Sequence, residues 1–276
     1  MVDQTENSLF LSSWYLDVVS PNWEAMIWGE YESGFPVTKV TKFGVVQIIQ
    51  PIFTREFKVV GAPVPFEEVL SQLQSLAKKV DLRLESRHAE LEPLERFHQK
   101  LPFEVDVSNG YSTNAKRLIK KANSKFEFKM ISDLSTFFKL IEDTLVPKIK
   151  EFSPENIAKL KSLMIKAQAL QKADCIAVHE NGNVVGAGFF FKHQSTITYL
   201  KGAATEQAKK NGAMFGLVDY AIRQYESGFS DLDFGGSNIK NVGDFYRKFG
   251  AIDRVYYHYE LNNLPFWYRW AKKIKK

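Results

Sequence analysis

The chain has 276 residues, 45% apolar and 25% charged, a composition that excludes a disordered, collagenous or low-complexity protein. Its single cysteine, Cys175, excludes a disulfide framework and any cysteine-rich zinc or iron–sulfur site. The net charge of +5 conceals an asymmetry: residues 1–110 hold 10 Lys+Arg against 16 Asp+Glu (−6), and residues 111–276 hold 27 against 16 (+11).

Ser8 to Val19 reads as a short helix stopped by Pro21, and Trp23 to Tyr31 as a strand. Val45 to Ile49 is a β-branched run, hence a buried strand. Phe66 to Val80 carries apolar residues at helical spacing, and Leu82–Leu84 and Phe103–Val107 are candidate strands. Val107-Ser-Asn-Gly110 is the strongest linker signal, because Asn-Gly favours a turn. It divides the chain into domains at 1–107 and 108–276.

The second part opens with a helix, Ser112 to Ala122, bearing Lys116, Arg117, Lys120 and Lys121. Phe126–Ile131 reads as a strand, and Ser132-Asp133 and Ser153-Pro154 cap two further helices. Asp174–Val178, Val184–Phe191 and Ser195–Gly202 form a three-strand antiparallel meander, its first turn at Asn181-Gly182. A helix from Gly212 to Glu226, a short strand Leu232–Phe234, a helix Val242–Phe249 and a strand Arg254–Leu261 follow. Trp267 to Lys276 reads as a basic amphipathic helix whose apolar face, Trp267, Trp270 and Ile274, packs back on the body or lies on a membrane surface; packing is preferred because the helix is short. The fold class is mixed α/β. No apolar run reaches the roughly 18 residues that span a bilayer. The first seven residues carry Asp3 and Glu6 without Lys or Arg, so no signal peptide and a cytoplasmic location are expected.

The basic second part favours an anionic partner, such as a phosphorylated cosubstrate, over a merely solvated surface only on further grounds. One ground is the turn before the Gly212 helix. Lys209 and Lys210 add charge there, Gly212 and Ala213 leave the backbone open, and a helix N-terminus offers unpaired N–H groups to phosphate. An ordinary surface turn remains the alternative. Asp231 and Asp233 flank Leu232 and share one face of their strand, so Asp233 is a candidate base or a cap of the Gly235-Gly236 turn. Glu206 is a further candidate base. The five histidines, His88, His98, His179, His193 and His258, show no metal spacing, and no metal is expected.

Phe245-Tyr-Arg-Lys-Phe-Gly-Ala251 closes a helix on a glycine before a strand. Here the sequence resembles the GNAT acyltransferase superfamily, and more narrowly its FemAB-type branch with paired GNAT-like domains. Tyr111 to Ala122, Ile176 to Gly188, Asp231-Leu-Asp-Phe-Gly-Gly-Ser237 and the opening Trp14-Tyr-Leu-Asp17 carry the same likeness, by their order more than by any one motif. The resemblance implies tandem GNAT-like domains and an acyl-CoA or aminoacyl donor in a splayed strand cleft of the second. It implies transfer of an acetyl or aminoacyl group to an amine or hydroxyl of a small-molecule acceptor. A tRNA-linked donor is disfavoured because no coiled-coil arm is visible, and DNA is not an expected partner. The resemblance makes Tyr246 the proton donor to the leaving group, with a buried aromatic as the alternative, and assigns Gly236, Ser237 and Lys248 to substrate binding. The family's phosphate loop commonly reads Gln/Arg-x-x-Gly-x-Gly/Ala, whereas Lys209-Lys-Asn-Gly-Ala-Met214 changes its first residue and lacks its last small one. That departure keeps open a non-catalytic ligand-binding protein on a degenerate GNAT scaffold.

Overall fold

A computed structural model describes residues 8–89, 91–103, 106–149, 152–235 and 240–268. The elements, in chain order, are α1 (Ser13–Val19), β1 (Glu24–Trp28), β2 (Ser33–Val37), β3 (Lys39–Lys42), β4 (Val45–Ile49), β5 (Val60–Gly61), α2 (Phe66–Leu76), β6 (Lys79–Leu84) and β7 (Leu94–Pro102). Then come α3 (Thr113–Asn123), β8 (Glu127–Ile131), α4 (Ser135–Thr144), α5 (Pro154–Ala169), β9 (Ala173–Glu180), β10 (Asn183–His193) and β11 (Thr196–Ala204). The last are α6 (Glu206–Lys210), α7 (Ala213–Tyr225), β12 (Asp231–Asp233), α8 (Lys240–Arg247) and β13 (Ile252–Asn262). The chain forms two compact units, Met1–Arg96 with Val255–Lys276, and Phe97–Arg254. The boundary expected at 107/108 thus falls instead near residue 96, and the last strand returns to the first unit. Val107-Ser-Asn-Gly110, read as a linker, is a 3₁₀ turn of the second unit.

In the first unit β4 pairs parallel with β6, and β3 pairs antiparallel with β4. β13 pairs antiparallel with β6, from Tyr257 opposite Leu84 to Asn262 opposite Lys79. β6 alternates buried Val80, Leu82 and Leu84 with half-buried polar residues, the two-residue period of a sheet covered on one face. α2 ends at Leu76, before the expected Val80, because Lys79 already joins β6. A salt-bridged cluster sits on the sheet: Lys79 Nζ lies 2.9 Å from Asp81 and 2.9 Å from Glu260, and His258 Nε2 lies 2.9 Å from Asp81. Leu264 and Tyr268 pack on Val45 and Phe43, and Gln47 Nε2 donates to Tyr268 Oη at 2.5 Å. Trp267 is about half exposed, so Tyr268 rather than Trp267 is the buried ring here. Trp270 and Ile274 lie outside the described residues.

The second unit is built on the expected meander. β8, β9, β10 and β11 pair antiparallel in sequence, with Asn181 (φ 51°) and Gly182 (φ 81°) making the primed turn that matches strand twist. β12 joins β11 in parallel, and β7 joins β12 antiparallel, with Lys100 opposite Asp233 and Pro102 opposite Asp231. α3, α7 and α8 cover one face. Their Ala115, Ala122, Leu217, Ile222, Tyr246 and the adjacent Phe249 close a single core over Ile176, Phe190, Ile197 and Leu232. Alternation sends Phe189 and Phe191 to the other face, where α4 contacts β10 and β11 and α5 contacts β9. Three helices start where a side-chain cap dictates: the hydroxyls of Ser112, Ser153 and Thr205 accept from Ala115, Asn156 and Ala208 N–H, whereas the cap position of α4 is Leu134 and not Ser132 or Asp133. The strand expected over Phe103–Val107 is absent among the described residues there; β7 starts nine residues earlier, at Leu94. Among the described residues no helix is long and apolar enough to cross a membrane.

Candidate functional site

The sheet of the second unit stops pairing between two parallel strands. β11 and β12 are in register at three rungs, Thr196–Asp231, Ile197–Leu232 and Thr198–Asp233. From Tyr199 to Ala204, β11 continues along β10 with no β12 partner among the described residues. The opening coincides with a β-bulge. Tyr199 faces Phe190 and Lys201 faces Phe189, so Leu200 is one residue too many on β11. Bulges interrupt the ladder and re-aim backbone groups, and they concentrate beside active sites. Gly235 (φ +73°) turns the chain just past β12, and a Cβ there would stand 2.9 Å from Tyr199 O, so only glycine lets the two backbones pass.

Aromatic rings line the α8 side of this opening. Tyr246 stacks on Phe234 (ring centroids 4.3 Å) and meets Tyr199 edge-on at 6.3 Å; Tyr199 stacks in turn on Phe190 at 4.9 Å. Helical spacing in the sequence predicts that Phe245 and Phe249 anchor α8 while Tyr246 reaches the cleft edge. The structure differs: Tyr246 is 8% exposed and buried, while Phe245 is half-buried. The reason is that the buried stripe of α8 runs through Gly243, Tyr246 and Phe249, an i, i+3, i+6 row. Burial pushes the Tyr246 phenol well above its ordinary value, so it stays protonated at neutral pH.

On the opposite face of β12, Asp231 and Asp233 do share a side, as expected. Lys100 Nζ binds Asp231 at 3.0 Å. Asp233 Oδ1 accepts from Gly235 N–H at 2.8 Å and lies 3.3 Å from His98 Nδ1. Asp233 therefore caps the Gly235 turn and holds a histidine as well. His98 and Asp233 are 8% and 4% exposed. Sequence reasoning missed His98 because β7 inverts the usual pattern: Leu94 and Phe97 are exposed, while His98 and Gln99 are buried.

The expected phosphate turn is differently built. Residues 206–210 form α6 rather than a loop. Lys209 is spent on Glu206 at 3.2 Å, and Glu206 also binds Lys148 at 2.7 Å. Hydrogen bonds from Lys148 and Lys209 hold the exposed Glu206 carboxyl below the ordinary carboxylate range, the opposite of what a base near neutral pH needs. Gly212 is left-handed (φ +86°), and a Cβ on it would lie 2.6 Å from Leu118 O. The close approach that glycine allows is thus taken by α3. Lys210 is exposed, its carbonyl accepting from Lys121 Nζ at 3.3 Å, and Ala213 is buried as the first residue of α7. Asn211 is buried beside them with its Nδ2 unpaired. Lys248 packs its ammonium 5.8 Å from the Phe215 ring. Gly236 and Ser237 lie outside the described residues. No group of three or more His, Cys, Asp or Glu placed to hold a metal occurs among the described residues. An open trough of about 1010 Å³, flanked by Met130, Phe138 and Ile165, is lined by none of the candidate residues above. Lys192 binds Asp174 there at 2.8 Å, and Asp133 accepts from Ser135 N–H at 2.9 Å.

FemX superposes on the chain with a TM-score of 0.66, covering 95% of this chain and 94% of FemX at 13% identity. A tandem GNAT protein from the clavulanic acid biosynthesis pathway gives a TM-score of 0.50, covering 89% of this chain and 85% of its own at 9% identity. The chain has a tandem GNAT fold. L-PGS from Bacillus licheniformis shares that fold (TM-score 0.57, 13% identity, 91% of this chain and 87% of that one). At these identities the likeness to FemX and to other GNAT folds is one of architecture. No protein-family model matches the chain, and no curated protein matches it in sequence.

Proposed function

We propose that the chain is an acyltransferase that moves an acyl group from an activated ester, a CoA-type thioester or an aminoacyl ester, to an amine. The observation that carries this reading is the end of β11–β12 pairing beside the Leu200 bulge, with the protonated Tyr246 stacked nearby on Phe234. An extended acyl donor fits a slot between separated strands, where strand peptide groups bond to it instead of to β12. A peptide N–H released by the bulge suits the oxyanion that forms when an amine attacks the carbonyl. Tyr246 then gives its proton to the departing sulfur or oxygen. The rings of Tyr199, Phe234 and Phe190 keep water from the phenol, which strengthens that donation.

The donor's phosphate end is assigned to the α7 N-terminus, where the Lys210 side chain is exposed and the buried Asn211 Nδ2 has no partner among the described residues. A degenerate binding protein remains the second reading, favoured by the engagement of Lys209 with Glu206. Thermal shift with acetyl-CoA, longer acyl-CoAs, free CoA and an aminoacyl-adenosine separates donor classes, because a ligand of the native state raises its melting temperature. Stabilisation by acyl donors followed by acyl transfer to amines supports the enzyme. Stabilisation without any transfer supports the binding protein.

A further inference from the structure

We propose that the chain holds a second binding site, a bipolar groove along α3 and α7 that takes a short peptide with both termini free. The groove lies wholly within the second unit and shares no residue with the β11–β12 site, so it stands apart from the acyl-transfer reading. Two cavities lie side by side there, of about 420 and 570 Å³, and Ser108, Tyr111, Asp219 and Arg223 line both. Asp219 and Tyr111 are buried. The Tyr111 hydroxyl and the Arg223 guanidinium both donate to the Asp219 carboxylate. The partition between the cavities is therefore a unit already paired within itself.

The two sides of this partition carry opposite charge. On the smaller cavity Lys116 and Lys120 join Arg223, three cations against one carboxylate. On the larger cavity Asp106 and Glu226 join Asp219, three carboxylates against one cation. Lys116, Lys120, Asp106 and Glu226 are exposed, and their side chains form no ion pair among the described residues. Lys116 and Lys120 stand one turn apart on α3, where like charges repel; an anion seated between them removes that repulsion. α7 closes at Tyr225 with Glu226 as its C-cap, and the negative end of a helix dipole favours a cation there.

A ligand matched to this groove carries an anion at one end and a cation at the other. Its length follows from α7, on which Asp219, Arg223 and Glu226 follow one another at helical spacing. From Asp219 to Glu226 the helix rises about 10 Å, at roughly 1.5 Å per residue. Three residues of extended chain, at about 3.3 Å each, cover the same distance. A tripeptide thus places its carboxylate at Lys116 and Lys120 and its ammonium at Asp106 and Glu226. Between the ends, the Ser108 hydroxyl lines both cavities and makes no hydrogen bond of its own among the described residues, so it is available to a peptide group.

The test titrates the full ¹⁵N-labelled chain with triglycine, following amide shifts by NMR and affinity by calorimetry. Triglycine is expected to bind and to shift amides of α3 and of the second half of α7. N-Acetyl-triglycine and triglycine amide, each with one charge removed, are expected to bind about tenfold more weakly. The double variant Lys116→Ala, Lys120→Ala should weaken triglycine about tenfold and bind triglycine amide equally well, because the carboxylate has lost its partners. Asp106→Asn with Glu226→Gln should do the same for the N-acetyl form. All four side chains are exposed, so the variants should keep the native melting temperature. Absence of triglycine shifts in the groove overturns the site. Blocked peptides that bind as well as triglycine overturn its polarity, and inorganic phosphate that binds as tightly as triglycine reduces it to an anion site and overturns the peptide. Failure of acyl transfer leaves these outcomes unchanged.

Discussion

Tyr246→Phe removes one oxygen and keeps the ring. The stack on Phe234 at 4.3 Å and the edge contact with Tyr199 survive the change. No hydrogen bond from Tyr246 Oη to a described residue is lost, so stability should change by less than about 1 kcal/mol. If the phenol protonates the leaving group, turnover falls by about 10²–10⁴-fold, roughly 3–5 kcal/mol of transition-state stabilisation. Tyr246→Ala is the packing control: emptying a site only 8% exposed should cost about 3–5 kcal/mol of folding stability. Urea unfolding measures the stabilities, and mass spectrometry of the acylated amine measures turnover at matched donor saturation. The Phe variant should lose turnover with native stability. Full turnover in that variant would refute the acid role and leave Tyr246 as a core ring.

Three further outcomes follow from the packing. Gly212→Ala should cost about 1–3 kcal/mol in urea unfolding, because its φ of +86° is strained for alanine and the new Cβ meets Leu118 O at 2.6 Å; a neutral substitution would contradict that geometry. Burial pushes the Cys175 thiol up to about 12, and the side chain is fully buried, so native protein at pH 8 should not react with Ellman's reagent until denatured. Burial raises the Asp81 carboxyl, but Lys79 and His258 outweigh it and hold the group below its ordinary value. Its stabilisation is complete above about pH 4, where the unfolded carboxyl titrates, and is lost as pH falls through the lower folded value. Lys79 is likewise lowered by burial but held above its ordinary value by Asp81 and Glu260, so its share is complete below about pH 10 and lost above the folded value. Asp81→Asn should cost about 1–2 kcal/mol at neutral pH and flatten the acid limb of stability against pH.

The second unit was legible because its elements obey local rules. Asn181-Gly182 sets the hairpin, Ser112 and Ser153 cap their helices, and the apolar runs of β9 to β11 fill a sheet covered on both faces. β7 was illegible because it carries its polar residues inward. His98 and Gln99 are buried while Phe97 is 38% exposed, so periodicity points away from a strand. The signal that could have found His98 is that same inversion, read as a strand whose polar residues face inward. Asp233 was singled out, but its partner lies 135 residues away and no spacing reveals such a pair. Tyr246 was placed on the correct helix and turned the wrong way, because Phe245 and Phe249 look like the anchor when Gly243 is not counted as a buried position. Gly212 invited a phosphate reading, whereas the carbonyl of Leu118 explains it.

The most direct test of the proposed site is where a donor protects the backbone. Hydrogen exchange of the full chain should be compared with and without a non-hydrolysable acyl-CoA and, separately, a non-hydrolysable aminoacyl-adenosine. Protection concentrated on residues 199–204 of β11, on Phe234 and Gly235, and on the start of α7 is the expected result for the donor that binds. Protection confined to the trough by Met130, Phe138 and Ile165, or no protection at the opening with either donor bound, would contradict an acyl donor between the parted strands.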